Sequence, residues 1–177
     1  MRRLVLLLLA SATLTGCASA FSSQMLQGVD RSLTVGLLRG DPDRYRNARV
    51  VLAGEIIDTR PRAGATEIEV LSRPLGDGDA PRRTDVTEGR FIMVAPDFLD
   101  PAVYSRGRRV SMVGTVTGGE ERPLGDQPYR YVITRPDQIY LWPLPAYGYP
   151  YPAPYPYPYA GYPYPSYLGG PYWPYYW

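Results

Sequence analysis

The residues whose types and spacing most clearly predict a chemical role lie near the N-terminus, around Cys17. Cys17 is the only cysteine of the 177-residue chain. Cys17 follows Arg2 and Arg3, an uncharged apolar run at residues 4–10 and small residues at 11–16. This order of charge, apolar run and small residues is typical of a secretory signal. The apolar run is too short to cross a bilayer, which needs about 20 apolar residues. A disulfide within the chain is excluded, so the sulfur is available for modification.

The motif that ends at the cysteine resembles the lipobox of bacterial lipoproteins, with Leu14, Thr15 and Gly16 before Cys17. The resemblance implies that a diacylglyceryl group alkylates the sulfur and that a peptidase cleaves between Gly16 and Cys17. Acyl chains such as palmitate anchor a protein stably when more than one is present, since each buried methylene contributes roughly 0.8 kcal/mol. Ala18, rather than aspartate, follows the cysteine, so the expected address is the outer membrane, facing the periplasm. The alternatives are a small buried residue or an unmodified thiol after an ordinary signal.

The composition restricts the chemistry open to the chain. All 19 basic residues are arginine, 17 residues are acidic, and there is no histidine. Without histidine, neither a Ser-His-Asp nor a Cys-His arrangement can be built, and zinc sites of the usual kind are excluded. Two arginines leave with the predicted signal, and the remaining balance of charge argues against a nucleic-acid partner. Carboxylate, tyrosine and hard-metal chemistry remain, but no motif indicates them, so we predict no catalytic residue, no metal and no cofactor.

The chain divides into four predicted parts. Residues 1–16 are the signal peptide and residues 17–24 a lipidated tether of small and polar residues. Residues 25–142 mix apolar and charged residues and are predicted to fold, whereas residues 143–177 form a Tyr/Pro-rich tail that holds 12 of the 17 tyrosines and no charge. Alternating proline and aromatic residues exclude helix and central strand, so the tail is predicted to be disordered, with polyproline II as its local state.

Strands dominate the predicted folded part. Residues 66–71 alternate at period two, with Glu67 and Glu69 on one face and Ile68 and Val70 on the other. We interpret the two carboxylates as a solvated strand face, and acid–base catalysis is the alternative. Further strands are predicted at residues 49–59, 90–95, 108–117, 129–134 and 138–142, with a short helix at 29–38 and a turn at 41–45.

Glycines inside two of these strands predict bends. Gly54 and Gly114 interrupt otherwise apolar, β-branched runs, and such positions mark bulges or corners. About six short strands at close spacing therefore indicate a mainly β fold, a small closed or nearly closed barrel.

Two stretches carry a resemblance to a known family. The first is Gly89, Arg90 and Phe91; the second, at residues 98–118, contains Phe98, Leu99, Asp100, Pro101, Tyr104, Gly107, Arg108, Gly114 and Gly118. Both are similar to the Slp family, the starvation-inducible outer-membrane lipoproteins of Gram-negative bacteria. The resemblance covers roughly residues 41–142 together with the lipobox, and it is expected to end near Trp142. It implies a small OB-like β-barrel with one or two short N-terminal helices and no catalytic residues.

The second stretch is expected to shape one end of the barrel. Phe98, Leu99 and Tyr104 are predicted to plug the barrel mouth, and Asp100 before Pro101 to cap a turn, with a binding surface as the alternative. The three arginines that flank these stretches are expected to form surface ion pairs with Glu67 and Glu69 or to face an anionic ligand; they are Arg90, Arg108 and Arg109.

Three functions remain open from the sequence. The first is a non-enzymatic lipoprotein, anchored to membrane lipid through Cys17, with an envelope structural or stress-associated role. The second is a periplasmic carrier that binds a saccharide or lipid fragment on the barrel face, and the third is a carboxylate-based glycan hydrolase. For the tail, peptidoglycan or another envelope protein is the expected partner, and a tail without a partner is the alternative.

Overall fold

Five β-strands form a closed ring in the computed structural model, which describes residues 19–144. The signal, the lipobox, Cys17 and the tail beyond residue 144 lie outside the described residues. The strands are β1 (Arg49–Arg62), β2 (Ala65–Ser72), β3 (Arg90–Ala95), β4 (Arg109–Leu124) and β5 (Gln127–Leu141). Helical structure is limited to α1 (Val35–Gly40) and a 3₁₀ turn at Asp77–Asp79 within this part of the chain. The prediction of a mainly β barrel is confirmed.

The ring runs in the order β1-β2-β3-β5-β4, and β4 returns to β1. Neighbouring strands are antiparallel except β3 and β5, which pair in parallel with Phe91 opposite Val132. This is the five-stranded Greek-key order of the OB fold, which leaves one outer face between the β1–β2 and β4–β5 connections. That outer face carries the candidate site.

The last two predicted strands are one continuous strand. Residues 129–134 and 138–142 both fall in or next to β5, and the proline between them does not end the strand. Gly114 pairs with Pro136 and Val113 with Gln138, which leaves Asp137 in a bulge. Proline cannot donate to a ladder and is accommodated at bulges, so Pro136 bends β5 instead of terminating it.

The short helix begins later than its apolar pattern indicates. Residues 29–38 were predicted as helical, but α1 begins after Thr34, whose Oγ1 accepts a hydrogen bond of 3.4 Å from the backbone N–H of Leu37. Threonine is a favoured N-cap because its hydroxyl satisfies an orphan N–H of the first turn. Val29 instead pairs with Arg49 as an isolated parallel bridge.

The barrel interior is apolar and includes the helix. In β2 the predicted alternation is confirmed, since Thr66, Ile68, Val70 and Ser72 are buried and the residues between them are not. Val35 and Leu38 of α1 pack into the same core. The buried Thr66 hydroxyl donates to the Asp97 carbonyl at 2.9 Å and accepts from the Leu99 N–H at 3.0 Å, so its polar atom is satisfied.

A second apolar cluster lies outside the barrel, on the outer face of β1 and β4. Val51 and Val113 are paired across these strands, and Phe21, only 3% exposed, packs on them. Leu75 of the β2–β3 loop (residues 73–89) joins the same cluster. Residues 19–24, predicted as part of a tether, therefore begin the folded layer. The described residues include no helix long and apolar enough to span a membrane.

The buried carboxylate of Asp79 links the N-terminal residues to the β2–β3 loop. Asp79, 4% exposed, accepts hydrogen bonds from Ser19 Oγ at 2.5 Å and Arg31 Nη1 at 2.7 Å. Burial raises the pKa of Asp79, but the hydrogen bonds from Arg31 and Ser19 outweigh that effect and hold it below its usual value. Asp79 also binds the barrel, because its carbonyl accepts from Ser111 Oγ at 2.6 Å.

Candidate functional site

The outward face of β2 presents Glu67 and Glu69, because alternate residues of a strand point to opposite sides and the intervening residues are in the core. Arg60 of β1 lies opposite Glu67, and Ile92 of β3 lies opposite Glu69. The two carboxylates are 19% and 11% exposed, so this face is covered by other side chains. The interpretation of a solvated strand face is therefore wrong in one respect: arginines cover it.

Arg122 covers Glu67. Its Nη1 and Nη2 donate to the two carboxylate oxygens of Glu67, each at 3.1 Å, and its Nε and Nη2 donate to Glu120, each at 2.8 Å. The planar guanidinium thus holds two carboxylates at once, the bidentate geometry for which arginine is suited. Arg62 adds a longer ion pair to Glu67 at 3.5 Å.

Glu69 has a different set of partners. Arg90 Nη1 donates to Glu69 Oε1 at 2.8 Å, and the hydroxyl of Tyr131 donates to the same oxygen at 3.1 Å. Arg60 approaches the second oxygen at 3.7 Å. The hydrogen bond to Glu69 raises the pKa of Arg90, and burial together with the negative charge of Glu69 raises the pKa of Tyr131. Tyr131 therefore stays protonated and acts as a donor.

The electrostatics of this face disfavour proton donation by Glu67 and Glu120. Hydrogen bonds from Arg122 lower the pKa of Glu67, and they lower the pKa of Glu120 as well. The general acid of a glycosidase needs the opposite, a carboxyl group whose pKa is raised. The described residues also contain no group of three or more His, Cys, Asp or Glu side chains placed to hold a metal ion.

A cleft opens beside these ion pairs, with an empty volume of about 590 Å³ including its open mouth. It lies between β1, β2, β3 and the β4–β5 hairpin, which extends the sheet beyond the ring. Its charged lining consists of Arg60, Arg90, Arg106, Arg122, Asp58 and Glu69. Pro123 and Leu124 supply accessible apolar surface, whereas Ile92 and Tyr131, 2% and 3% exposed, lie buried beneath the cleft. Arg106 is exposed and makes no ion pair within residues 19–144, so the cleft has a positive charge available to a ligand.

The pH dependence of one ion pair provides a prediction. At pH 7, Glu67→Gln is expected to lower the free energy of unfolding by on the order of 1 kcal/mol, because Arg122 and Arg62 lose a charged partner. Since the folded pKa of Glu67 is lowered, this stabilisation is present above the unfolded pKa of about 4.3 and is lost as pH falls through the folded value. Urea unfolding of both proteins between pH 3 and 8 measures the difference.

The matched control is Glu121→Gln. Glu121 is exposed and pairs with Arg130 only through the backbone register of the hairpin. Its replacement should change the free energy of unfolding by less than about 0.5 kcal/mol at any pH. A difference between wild type and Glu67→Gln that grew on acidification would contradict the assigned direction.

The first three family-motif residues lie at the start of β3, beside the face that carries Glu67 and Glu69. Gly89 has φ 110°, and a Cβ there would lie 2.5 Å from Arg39 Nη1, so the position excludes a side chain. The backbone N–H of Arg90 donates to the hydroxyl of Tyr129 at 2.7 Å, while its side chain reaches Glu69. Phe91 is fully buried in the core.

The second motif stretch, residues 98–118, contains most of the connection between β3 and β4 and the first part of β4. Leu99 and Tyr104 pack against the barrel core, whereas Phe98 is 72% exposed and takes no part in the plug predicted for it. Asp100 Oδ1 accepts from the N–H of Ala102 at 2.8 Å, on the far side of Pro101. This hydrogen bond fixes an Asx-type turn at the start of the connection.

The remaining motif residues have backbone or hydrogen-bonding roles. Gly107 has φ 81° and donates its N–H to the Ile56 carbonyl at 2.8 Å. Arg108 donates to the carbonyls of Val103 and Trp142, each at 3.2 Å, so it does not pair with the β2 carboxylates. Arg109 likewise points elsewhere, towards the Pro81 carbonyl. Gly118, with φ 141°, lies against the guanidinium of Arg46, and Gly114 against the backbone of β5.

Sequence reasoning missed four residues of the cleft. Arg60, Arg106, Arg122 and Tyr131 come from three different parts of the chain. The one available signal was the turn at Gly125 and Asp126, which sets a hairpin register with Arg122 opposite Tyr129 and Glu120 opposite Tyr131. Treating residues 118–128 as a hairpin would have placed Arg122 beside the sheet.

The closed five-stranded ring, its strand order and its charged outer face define a small OB-like barrel domain. The chain belongs to the outer membrane lipoprotein Slp family, whose model matches residues 14–177. The match begins at Leu14, the first residue of the predicted lipobox, and it continues past Trp142, where the resemblance was expected to end.

Two relatives and two solved structures illustrate the similarity. The lipoprotein YeaY of Escherichia coli K12 is 28% identical over 103 residues, which cover 58% of this chain and 53% of that protein. A protein of Haemophilus influenzae is 31% identical over 96 residues, 54% of this chain and 52% of its own. The chain thus spans about half the length of these relatives.

The structures have a TM-score of 0.34 each. One is an OBody bound to hen egg-white lysozyme, with 18% identity over 54% of this chain and 96% of that chain. The other is the Saccharomyces cerevisiae mitochondrial single-stranded DNA binding protein Rim1, with 13% identity over 54% and 94% of the two chains. Similarity at this level says nothing about function.

Proposed function

We propose that the protein is a non-enzymatic lipoprotein, held to the periplasmic face of the outer membrane by acyl chains on Cys17, with a structural or stress-associated role in the envelope. The observation that carries the proposal is the lipobox, Leu14 to Cys17, at the start of the match to an outer-membrane lipoprotein family. Membrane fractionation of wild type and of a Cys17→Ser variant tests it.

The geometry of the outer face supports a non-enzymatic role. The carboxylates relevant to a catalytic role are Glu67 and Glu69, which the sequence offered for acid–base chemistry, and Asp100 in the family motif. Glu67 is held by Arg122, Glu69 by Arg90 and Tyr131, and Asp100 is engaged in a turn. Each carboxylate is engaged in structural hydrogen bonds. The pKa of Glu67 is lowered, whereas general acid catalysis requires a raised pKa.

A second candidate function is the binding of an acidic saccharide in the cleft. Arg106 offers a guanidinium that has no ion-pair partner among residues 19–144, and Pro123 and Leu124 offer apolar surface for a sugar ring. Guanidinium groups recognise carboxylates by paired hydrogen bonds. The predominantly charged lining favours a saccharide over a lipid fragment.

A titration tests this second function. The probe is the disaccharide of N-acetylglucosamine and N-acetylmuramic acid, which carries one carboxylate, added to the mature Cys17→Ser protein. We expect saturable binding in calorimetry, and a roughly tenfold loss of affinity in Arg106→Ala, equal to about 1.4 kcal/mol, because one charge-assisted contact is removed.

The control for the titration is Arg44→Ala. Arg44 is exposed and lies in the turn after α1, away from the cleft lining. It should leave the affinity unchanged. Equal loss in both variants would indicate non-specific attraction, and no saturable binding to wild type would remove the saccharide function.

The tail remains a proposed interaction segment. Its tyrosines and tryptophans are suited to stacking on sugars, so peptidoglycan or another envelope protein is its proposed partner. Crosslinking in intact envelopes, with the full chain and with residues 145–177 removed, identifies that partner.

A further inference from the structure

The first described residues of the chain are already fixed to the barrel. The backbone N–H of Ala20 donates to the Gly78 carbonyl at 2.9 Å, and Ser19 Oγ donates to Asp79 at 2.5 Å. Phe21 is buried on Val51 and Val113. Three consecutive residues thus bind the 3₁₀ turn and the outer face of β1 and β4.

Cys17 is only two residues from this attachment. A fully extended chain advances at most about 3.6 Å per residue, so the Cα of Cys17 lies within about 7 Å of the Cα of Ser19, whatever conformation Ala18 adopts. This limit follows from covalent geometry alone. The connection between a lipid-bearing Cys17 and the folded domain is therefore too short to let the domain move far from the bilayer.

We propose that the barrel is held directly against the lipid surface, with the layer over the outer face of β1 and β4 turned towards the bilayer. The layer consists of residues 19–33 and the β2–β3 loop, residues 73–89. This inference rests on the proposed anchoring at Cys17. The occupant of the layer's outer surface is the phospholipid leaflet that holds the acyl chains.

The candidate cleft then faces away from the bilayer. In the ring β1-β2-β3-β5-β4, the seam between β4 and β1 lies opposite β3, and the cleft is on the outer side of β2 and β3. Along β1, seven residues separate Ala53, next to the anchored layer, from Arg60 in the cleft lining, a contour of about 23 Å. The fixed attachment therefore presents the cleft to the aqueous side.

Charge does not set this orientation. The layer contains Arg31, Arg73, Arg82 and Arg83 and also Asp30, Asp77, Asp79, Asp85 and Glu88, so the two signs nearly cancel. The acyl chains and the short connection determine the geometry. The orientation is accordingly expected to be the same on zwitterionic and anionic vesicles, and at low and high salt.

Two single-cysteine variants test the orientation in the lipidated full chain. The sulfur of Cys17 is blocked by its thioether, so an introduced cysteine is the one free thiol. Asp77→Cys lies in the layer and Ala63→Cys in the β1–β2 turn, and both positions are exposed. Each is labelled with a fluorophore and reconstituted in phosphatidylcholine vesicles that contain a headgroup nitroxide lipid. Strong quenching at position 77 and weak quenching at position 63 are expected.

A longer connection should abolish the difference. Ten Gly/Ser residues inserted between Ala18 and Ser19 add an r.m.s. reach of about 17 Å, so the barrel tumbles and the two positions are quenched alike. Ser23→Cys, also exposed and in the layer, replaces Asp77→Cys if that variant does not fold. Circular dichroism melts check folding.

The outcomes separate the two proposals. Failure of the wild-type lipidated protein to float with vesicles overturns the anchoring, and the orientation with it. Flotation with equal quenching at positions 77 and 63 leaves the anchoring in place and overturns only the orientation. Quenching that differs between the positions but does not change with the insertion also overturns it, since the short connection would then not be the cause.

Discussion

Replacement of Cys17 by serine is expected to move the protein from the membrane fraction to the soluble periplasmic fraction. The serine hydroxyl is not a substrate for thiol alkylation, so every acyl chain is lost together. Even one chain of myristoyl length gives only marginal membrane binding, with an association constant of about 10⁴ M⁻¹, and stable anchoring takes at least two attachments. Ultracentrifugation of cell envelopes after a mild wash, with immunodetection, measures the distribution.

Ala18→Ser is the matched control for this replacement. It changes the neighbouring residue by one hydroxyl and leaves the sulfur in place, so the protein should stay in the membrane pellet. Mass spectrometry of the mature wild type should show an acylated N-terminal cysteine with residues 1–16 removed. Recovery of Cys17→Ser in the pellet with residues 1–16 removed would show that the barrel or the tail binds the membrane without lipid.

The second large effect is expected in Gly54→Ala. A Cβ at Gly54 would lie 2.6 Å from Val70 Cγ1 and 2.9 Å from the carbonyl carbon of Leu71, and closer still to the Leu71 carbonyl oxygen. The Leu71 atoms in contact belong to the backbone of the neighbouring strand, β2, so a side-chain rotation cannot relieve the clash. Overpacking of a core typically costs about 1–3 kcal/mol, and this contact belongs at or above the upper end. We expect the melting temperature to fall by about 10 °C or more.

Gly40→Ala is the control for the glycine substitution. Gly40 ends α1, has negative φ, and has no atom within 4 Å of the position that its Cβ would take. Alanine there should leave the melting temperature unchanged or raise it, because it reduces the freedom of the unfolded chain. Thermal unfolding followed by circular dichroism compares the two. Equal melting of Gly54→Ala and wild type would mean that β1 and β2 separate more easily than their pairing indicates.

Local patterns were sufficient to predict most of the barrel. The alternation through Glu67, Ile68, Glu69 and Val70 fixed which side chains of β2 face the core, because the period of a strand is two. The prediction of a bulge or bend at a strand glycine is confirmed at Gly114, but no register shift occurs at Gly54. Gly114 lies at a register shift. Gly54 permits close approach of β2, while the bulge itself is farther along, between Ile56 and Asp58.

What local patterns could not predict depends on contacts distant in sequence. Pro136 was read as a break, since proline ends most strands, but a bulge in β5 accommodates it. Residues 19–24 were read as a polar tether, yet Phe21 finds an apolar site formed by Val51 and Val113. That site exists only after β1 and β4 have paired.

The candidate site also combines residues that local patterns predict with residues that only distant contacts bring in. Glu67 and Glu69 were identified from their spacing, whereas Arg122, which holds Glu67, comes from a hairpin more than 50 residues later. Apart from the turn at Gly125 and Asp126, no local signal distinguishes Arg122 from the other arginines, because its role is set by the length of β4 beyond the ring. Phe98, which looked suited to fill the barrel mouth, is exposed because Leu99 and Tyr104 occupy the core beside it.

The parallel pairing of β3 with β5 has a consequence for how the chain reaches its native state. The β1–β2 and β4–β5 hairpins are joined by two-residue turns and can form early, since closing a short loop costs little entropy. The ring closes only when Phe91 meets Val132 and β1 meets β4, both far apart in sequence. Such a high contact order predicts folding in milliseconds to seconds. During that interval β3 has one unpaired edge, which makes this short strand the point at which two newly exported chains would begin to associate.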